Sequence, residues 1–190
     1  EANTNPSIHA ILLEVDSGGG YPLAGEEVAN ALRGTSKPTV ALIRGLGNSA
    51  AYLAASGAKI IFASKYSDIG SIGVTQSYTD ESVKNQKEGI TYNSLSIGKF
   101  KDILDSAKTL TAEERTLLMR DLEITHKNFI ADVARNRGMS VAAVTALADG
   151  STMPGQMALQ NGLIDRIGGI DEVEKYLKET IGEKPEICWR

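Results

Sequence analysis

The sequence predicts an α/β fold built on a mostly parallel sheet. Along the first 63 residues, short apolar segments alternate with helical ones: strands at 8–15, 38–43 and 59–63, a glycine turn at 16–20, and helices near 22–33 and 49–57. Strands that are apolar on both faces and separated by helices are typical of a parallel sheet. The second half reads as mostly helical, so we expect helices to cover that sheet.

The remaining elements follow from local signals. Two further strands are predicted at 71–75 and 91–97, with a possible short helix in the polar segment between them. Thr111 and Glu114 form a capping-box pattern that opens a long helix ending at Gly138. Its apolar residues at helical spacing predict one buried stripe: Leu118, Leu122, Phe129 and Val133. Ser140 caps a helix at 141–148, 163–167 is a short strand, and Asp171 with Glu174 caps a last helix.

Composition narrows the class of protein. With 190 residues and 42% hydrophobic residues, the chain is expected to be one domain spanning residues 1–190. A net charge of −4 without long runs of like charge disfavours nucleic acid and anionic membrane surfaces as partners. The single cysteine, Cys188, excludes an internal disulfide and has no metal-ligand neighbours. The sequence therefore predicts no metal and no cofactor.

Ser49 is the strongest candidate for a reactive group. It stands between the apolar strand and a helix of small residues, a turn that commonly presents a nucleophilic serine beside free N–H groups. A structural helix cap is the alternative interpretation. No histidine lies between His9 and His126, so another residue must supply the base.

Lys101, or its neighbour Lys99, is the candidate base. An ordinary lysine has a pKa of about 10.4 and is protonated at neutral pH, so such a base requires desolvation of its ammonium form. Ser71, in a Gly-Ser turn, is a candidate to orient the amine. The glycines at 18–20 leave backbone N–H groups uncovered, as an oxyanion hole requires, although a plain turn has the same pattern.

These motifs in this order resemble the signal peptide peptidase A (SppA) family of serine proteases. The resemblance covers nearly the whole chain, and its parts are Asp16-Ser-Gly-Gly-Gly20, Ser49-Ala-Ala-Tyr52, Gly70-Ser-Ile-Gly-Val74, Gly98-Lys-Phe-Lys-Asp-Ile103, Leu110-Thr-Ala-Glu-Glu-Arg115, Met153-Pro-Gly-Gln-Met-Ala158 and Gly162-Leu-Ile-Asp165. It implies the ClpP/crotonase-like α/β spiral, with a mostly parallel sheet and C-terminal helices. It also implies a Ser–Lys endopeptidase that degrades apolar peptides such as cleaved signal peptides.

The resemblance assigns a role to each candidate residue. It makes Ser49 the nucleophile, Lys101 rather than Lys99 the general base, and Ser71 the residue that holds the lysine. The oxyanion hole would combine a backbone N–H of Gly19 or Gly20 with that of Ala50. The chain carries Gly18 where the family usually has proline, and Ala50-Ala51 where it usually has two glycines.

The resemblance also implies an assembly and a location. Family members form homo-oligomeric rings in which single-repeat chains share site residues between subunits. We expect peptide substrates, and membrane association through an N-terminal anchor that lies outside this chain, with the domain outside the cytoplasm. The apolar segment near the N-terminus, at 8–15, reads as an internal strand, so upstream strands are expected to be missing.

Three alternatives stay open at the level of sequence. A crotonase-like acyl-CoA enzyme uses the same fold and two N–H donors but no nucleophilic serine. A scaffold relative with a decayed site is the second. A ClpP-type Ser–His–Asp peptidase is the third, and it is disfavoured because no histidine follows Ser49 at short range.

Overall fold

A computed structural model describes residues 2–189. Its centre is a six-stranded sheet with β2 in the middle. The strands are β1 (Ile11–Ser17), β2 (Thr39–Asn48), β3 (Ile60–Ala63), β4 (Asp68–Gly70), β5 (Thr152–Pro154) and β6 (Arg166–Ile167).

The sheet is mostly parallel, as the alternating strands and helices predict. β1, β3 and β4 each pair with β2 in parallel, and β6 pairs in parallel with β3. Only β5, against β4, is antiparallel within the described residues. Leu32 and Leu53, from helical segments that connect parallel strands, pack on one face of the sheet, and Val173, from the helix after the last strand, packs on the other.

Residues 2–189 also contain seven helices. They are α1 (Pro22–Gly34), α2 (Ala50–Ser56), α3 (Ser82–Lys87), α4 (Ala112–Arg137), α5 (Val141–Thr145), α6 (Gly155–Gln160) and α7 (Ile170–Ile181). The Ser140 cap is confirmed, since its Oγ accepts the Ala143 N–H at 3.1 Å. The Asp171–Glu174 cap is wrong: α7 begins earlier, and Glu172 accepts the Gly169 N–H at 2.7 Å.

The largest departures from the sequence prediction are two missing strands. Residues 71–75 and 91–97 form neither strand nor helix, and a short strand, β4, ends directly before the first of them. A β propensity describes side chains that suit a sheet, but a strand also needs a partner edge for its backbone groups. β2 also runs to Asn48, through the Arg44–Asn48 segment that its two glycines suggest is flexible. The sequence patterns predict neither β5 (Thr152–Pro154) nor α6 (Gly155–Gln160).

The chain divides into two compact units. The first comprises Glu1–Gly73 and Asn128–Arg190, and the second Val74–Lys127. The expectation of one domain over residues 1–190 stays a prediction.

The core of the first unit lies on both faces of β2. Ala41 and Ile43 belong to the larger apolar cluster, whereas Val40 and Leu42 pack with Val173 of α7. This alternation explains why nearly every residue of the strand is apolar. Of the stripe predicted on α4, Phe129 and Val133 are buried, while Leu118 and Leu122 are half-buried.

The second unit relies more on polar contacts. No residue of 74–127 belongs to the apolar core clusters of the described chain. Leu95 and Ile97 are 100% and 99% exposed. Within residues 2–189, no helix is both long enough and apolar enough to span a membrane.

Candidate active site

Ser49 occupies a strained turn between β2 and α2. Its backbone has φ 52° and ψ −127°, a region that non-glycine residues rarely adopt. Such a conformation costs on the order of 1–3 kcal/mol and persists only where neighbouring contacts impose it. Here the Ser49 N–H donates to the Gly70 carbonyl of β4 at 2.8 Å, and its carbonyl accepts the Leu53 N–H at 3.0 Å. The serine is therefore held by its backbone.

Close packing of α1 on α2 positions the glycine turn. A Cβ on Gly25 of α1 would overlap the Ala50 carbonyl oxygen, and one on Gly57 would overlap the backbone of Ala29. Two glycines thus let the helix backbones meet without side chains between them. Because α1 follows the glycine turn directly, this contact fixes the turn beside the start of α2.

Gly19 lies against Ser49. A Cβ built on Gly19 would be 2.8 Å from the Ser49 Cβ and 3.2 Å from its Oγ. Gly19 has φ +126° and Gly20 φ +158°, which also favour glycine. The turn can approach the serine only because it carries no side chain there.

Two backbone N–H groups near Ser49 are available as donors. The Gly19 N–H already donates to the Ser17 Oγ at 3.2 Å, whereas that of Gly20 has no acceptor among the described residues. The Ala50 N–H, at the first position of α2, likewise has none within residues 2–189. Gly20 is therefore the better candidate of the two glycines.

Ser71 directly follows β4, the neighbour of β2 in the sheet, and Ser49 directly follows β2. Asn48 and Gly70 are register partners, so Ser49 and Ser71 each come directly after one of two adjacent strand ends. Ser71 has φ 49°, its N–H donates to the Ser151 carbonyl at 2.9 Å, and its Oγ donates to the Gly150 carbonyl at 3.2 Å. With its one hydrogen used, the hydroxyl can still accept hydrogen bonds.

Asn48 is a buried polar residue to which the sequence assigned no role. Its Nδ2 donates to Asp68 Oδ2 at 3.3 Å, and its Oδ1 is buried without a partner in the described part of the chain. The amide therefore ties the end of β2 to β4, next to Ser49. The sequence signal for such a role is a polar side chain at the end of an otherwise apolar strand.

Asp16, beside the glycine turn, has a structural role. Its Oδ1 accepts the Leu46 N–H at 2.9 Å, where the β1–β2 register shifts between Val15 and Ser17. The carboxylate thus accepts an N–H of β2 at the point where the regular pairing of β1 with β2 is interrupted.

Lys101 belongs to the second unit, whereas Ser49, Ser71 and the glycine turn belong to the first. Lys101 is exposed, its N–H donates to the Gly98 carbonyl at 3.1 Å, and its amine has no acceptor among the described residues. Lys99 instead forms an exposed ion pair with Glu113, at 2.6 Å.

Lys108 is engaged on both sides by carboxylates. Its Nζ lies 2.7 Å from Glu114 Oε1 and 2.9 Å from Asp102 Oδ1. Hydrogen bonds from Lys108 hold the pKa of both carboxyls below their usual range, and the bond to Glu114 is the main reason that the pKa of Lys108 is raised. Lys108 is therefore a committed cation rather than a base.

Neither histidine has a hydrogen bond to Ser49 among the described residues. His9 precedes β1 and so lies beside the start of β2, about 30 Å of strand away from the end that carries Ser49. Its Nδ1 lies 2.6 Å from Glu183 Oε1. His126 belongs to the second unit, and its Nε2 is buried without a partner in the described chain. Within residues 2–189, no group of three or more acidic, histidine or cysteine side chains could hold a metal ion.

The fold defines the class of ClpP-like α/β proteins. A solved structure of a ClpP1 variant from Listeria monocytogenes superposes with a TM-score of 0.55 at 11% sequence identity, over 85% of this chain and 75% of that chain. The predicted ClpP/crotonase-like fold is thereby confirmed.

The chain belongs to peptidase family S49, because the sequence model of that family matches residues 31–183. It is 33% identical to a putative protease of Methanocaldococcus jannaschii over 95% of this chain and 59% of the relative. It is 31% identical to a putative signal peptide peptidase SppA of Enterococcus faecium, over 92% of this chain and 53% of the relative. It is 26% identical to the capsid assembly protease C of Escherichia phage lambda, over 95% of this chain and 42% of the relative. The chain thus spans about half the length of these relatives.

Proposed function

We propose that this chain is a serine endopeptidase domain in which Ser49 is the nucleophile and Lys101 the general base. The observation that carries the proposal is the strained turn of Ser49 against the bare backbone of Gly19, in a chain of peptidase family S49. Strain of this kind clusters at functional sites because it pre-organises a reactive group.

In the proposed reaction, the Ser49 Oγ attacks a peptide carbonyl as the neutral amine of Lys101 takes its proton. The N–H groups of Gly20 and Ala50 stabilise the negative oxygen of the tetrahedral intermediate. Lys101 then gives the proton to the leaving amine, and water releases the acyl group from the serine by the reverse path.

Among the lysines of 97–108, Lys101 suits the role of base best. Lys99 is bound by Glu113, and Lys108 by Glu114 and Asp102. An amine held by a carboxylate keeps its proton, whereas that of Lys101 has no competing acceptor in the described residues. Ser71 would accept a hydrogen bond from that amine, because its own hydrogen is directed at Gly150.

We further propose that the active form is a homo-oligomeric ring. A lysine acts as a base only where its ammonium form is desolvated, and Lys101 is exposed in the single chain. The exposed Leu95 and Ile97 lie in the same unit and would be covered in such an assembly. A neighbouring subunit would then complete the site.

Apolar peptides are the proposed substrates. Tyr21 directly follows the glycine turn and is 86% exposed, and Leu46 of β2 is 42% exposed three residues before Ser49. Exposed apolar side chains on the two segments that flank the proposed site would favour apolar residues near the scissile bond. Segments released from membranes, such as cleaved signal peptides, have this character, and a membrane anchor outside this chain would place the domain near them.

The test is substitution of the two proposed catalytic residues. We expect Ser49→Ala and Lys101→Ala each to lower kcat/KM on a fluorogenic apolar peptide by at least about 10³-fold. Lys99→Ala, the matched control, should keep wild-type activity. A serine-directed fluorophosphonate should label wild type and not Ser49→Ala.

Two outcomes would contradict the proposal. Full activity in Lys101→Ala would remove the lysine from the mechanism. Binding of acyl-CoA without any peptidase activity would instead favour a crotonase-like enzyme.

A further inference from the structure

The segment that carries Lys101 has little regular backbone structure. Between 98 and 108 the chain makes single turns, in which Lys101, Ile103 and Asp105 each donate to the carbonyl three residues earlier. Leu104 has φ 69°, unusual for a residue with a branched side chain. Because no ladder of hydrogen bonds defines this backbone, side-chain contacts must hold its conformation.

Asp102, the neighbour of Lys101, is held from two sides. Its Oδ1 accepts from Lys108 Nζ at 2.9 Å, and its Oδ2 from Ser94 Oγ at 3.0 Å. The side chain is 22% exposed, and that of Lys108 27%. Fixing Asp102 fixes the Cα next to that of Lys101 while leaving the Lys101 amine unbound.

Lys108 links this turn to the first turn of α4. Its second partner, Glu114 Oε1, lies 2.7 Å away on a side chain that is 5% exposed. Glu114 Oε2 accepts the Thr111 N–H at 2.9 Å, and Thr111 Oγ1 accepts the Glu114 N–H at 3.2 Å. This reciprocal cap anchors Glu114 to the helix end.

We propose that Lys108 is a positioning residue for Lys101, acting through Asp102 and Glu114. The inference rests on the proposed role of Lys101 as general base. An ion pair buried to this degree has a defined geometry. Because Asp102 is bonded directly to Lys101, the ion pair also restricts the position of the Lys101 backbone. A base misplaced by about 1 Å can cost on the order of 10²-fold in rate.

The neighbouring lysine offers a matched contrast. Lys99 and Glu113, the partners of the other ion pair near Lys101, are 67% and 60% exposed. Exposed pairs of this kind contribute little and are screened by salt. Loss of a charge from Lys99 should therefore leave Lys101 where it is.

The experiment compares Lys108→Met, Lys108→Arg, Asp102→Asn and Lys99→Met in the full chain. The readouts are the rate of Ser49 labelling by a fluorophosphonate, kcat and KM on a fluorogenic apolar peptide, and the melting temperature. We expect Lys108→Met to lower the labelling rate and kcat at least about 10-fold with KM nearly unchanged, because ground-state binding is not altered. Lys108→Arg should recover both to within about 3-fold, since Arg also bridges two carboxylates. Lys99→Met should match wild type.

Asp102→Asn keeps the Lys108–Glu114 pair and should reproduce the loss of rate, even where Lys108→Met does not fold. Wild-type rates in folded Lys108→Met or Asp102→Asn would overturn the positioning role. So would a loss of rate that Lys108→Arg does not repair. If Ser49→Ala and Lys101→Ala are inactive while these variants are not, only this inference fails. If Lys101→Ala is active, the proposed function itself fails.

Discussion

At the scale of single residues, the site depends on backbone conformations that side chains rarely permit. Ser49 and Ser71 both have positive φ, and Gly19 and Gly20 form the facing turn. The hydrogen bonds of Ser49 to Gly70 and of Ser71 to Ser151 hold these conformations in place. The turn that carries Ser49 is therefore maintained by its neighbours rather than by local preference.

The glycine turn gives a sharp test at this scale. We expect Gly19→Ala to slow fluorophosphonate labelling of Ser49 by about 10²-fold, because its Cβ would lie 2.8 Å from the Ser49 Cβ and displace the serine. Gly18→Ala is the matched control, since a Cβ at Gly18 meets nothing within 4 Å. Equal labelling of both variants would show that the contact does not position Ser49.

At the scale of elements, the contact of α1 with α2 sets how the end of β1 lies relative to the end of β2. Gly25 and Gly57 lie in that contact, and each leaves space that the other helix fills with backbone. The two helices thereby set the distance between the glycine turn and the N-terminus of α2. Helix propensity alone would favour alanine at Gly25.

Substitution of glycines in α1 separates packing from propensity. Gly25→Ala should lower the free energy of unfolding by about 1–3 kcal/mol, because its Cβ would overlap the Ala50 carbonyl oxygen. Gly34→Ala, at the other end of the same helix, has open space and should be neutral or stabilising. Urea denaturation of both variants measures the difference. A neutral Gly25→Ala would mean that the helices can separate at no cost.

At the scale of the whole molecule, we propose that the Ser49–Lys101 dyad forms only on assembly. Ser49 belongs to one compact unit of the chain and Lys101 to the other, and Lys101 is exposed. If each site takes its serine from one subunit and its lysine from the next, two inactive variants can complement each other.

A mixing experiment tests that arrangement. Ser49→Ala and Lys101→Ala, co-refolded in equal amounts, should regain about one quarter of wild-type activity in random closed rings. Each variant refolded alone serves as the control. Absence of any recovery, in mixtures verified as co-assembled, would place serine and lysine in the same subunit.

The sequence by itself determined the fold class and the candidate residues. Apolar strands alternating with helices predicted the parallel sheet, because burial on both faces requires that pattern. The caps at Thr111 and Ser140 join residues three apart in the sequence, so they were also predictable.

Only the tertiary structure decided the contacts between distant segments. The missing strands at 71–75 and 91–97, the packing of Gly19 on Ser49, and the bond between Asn48 and Asp68 all depend on which backbone lies alongside. The same holds for the carboxylate partners of Lys99 and Lys108, which leave the amine of Lys101 without an acceptor among the described residues. Local patterns fix propensity and burial, whereas strain and ion pairing arise from long-range packing.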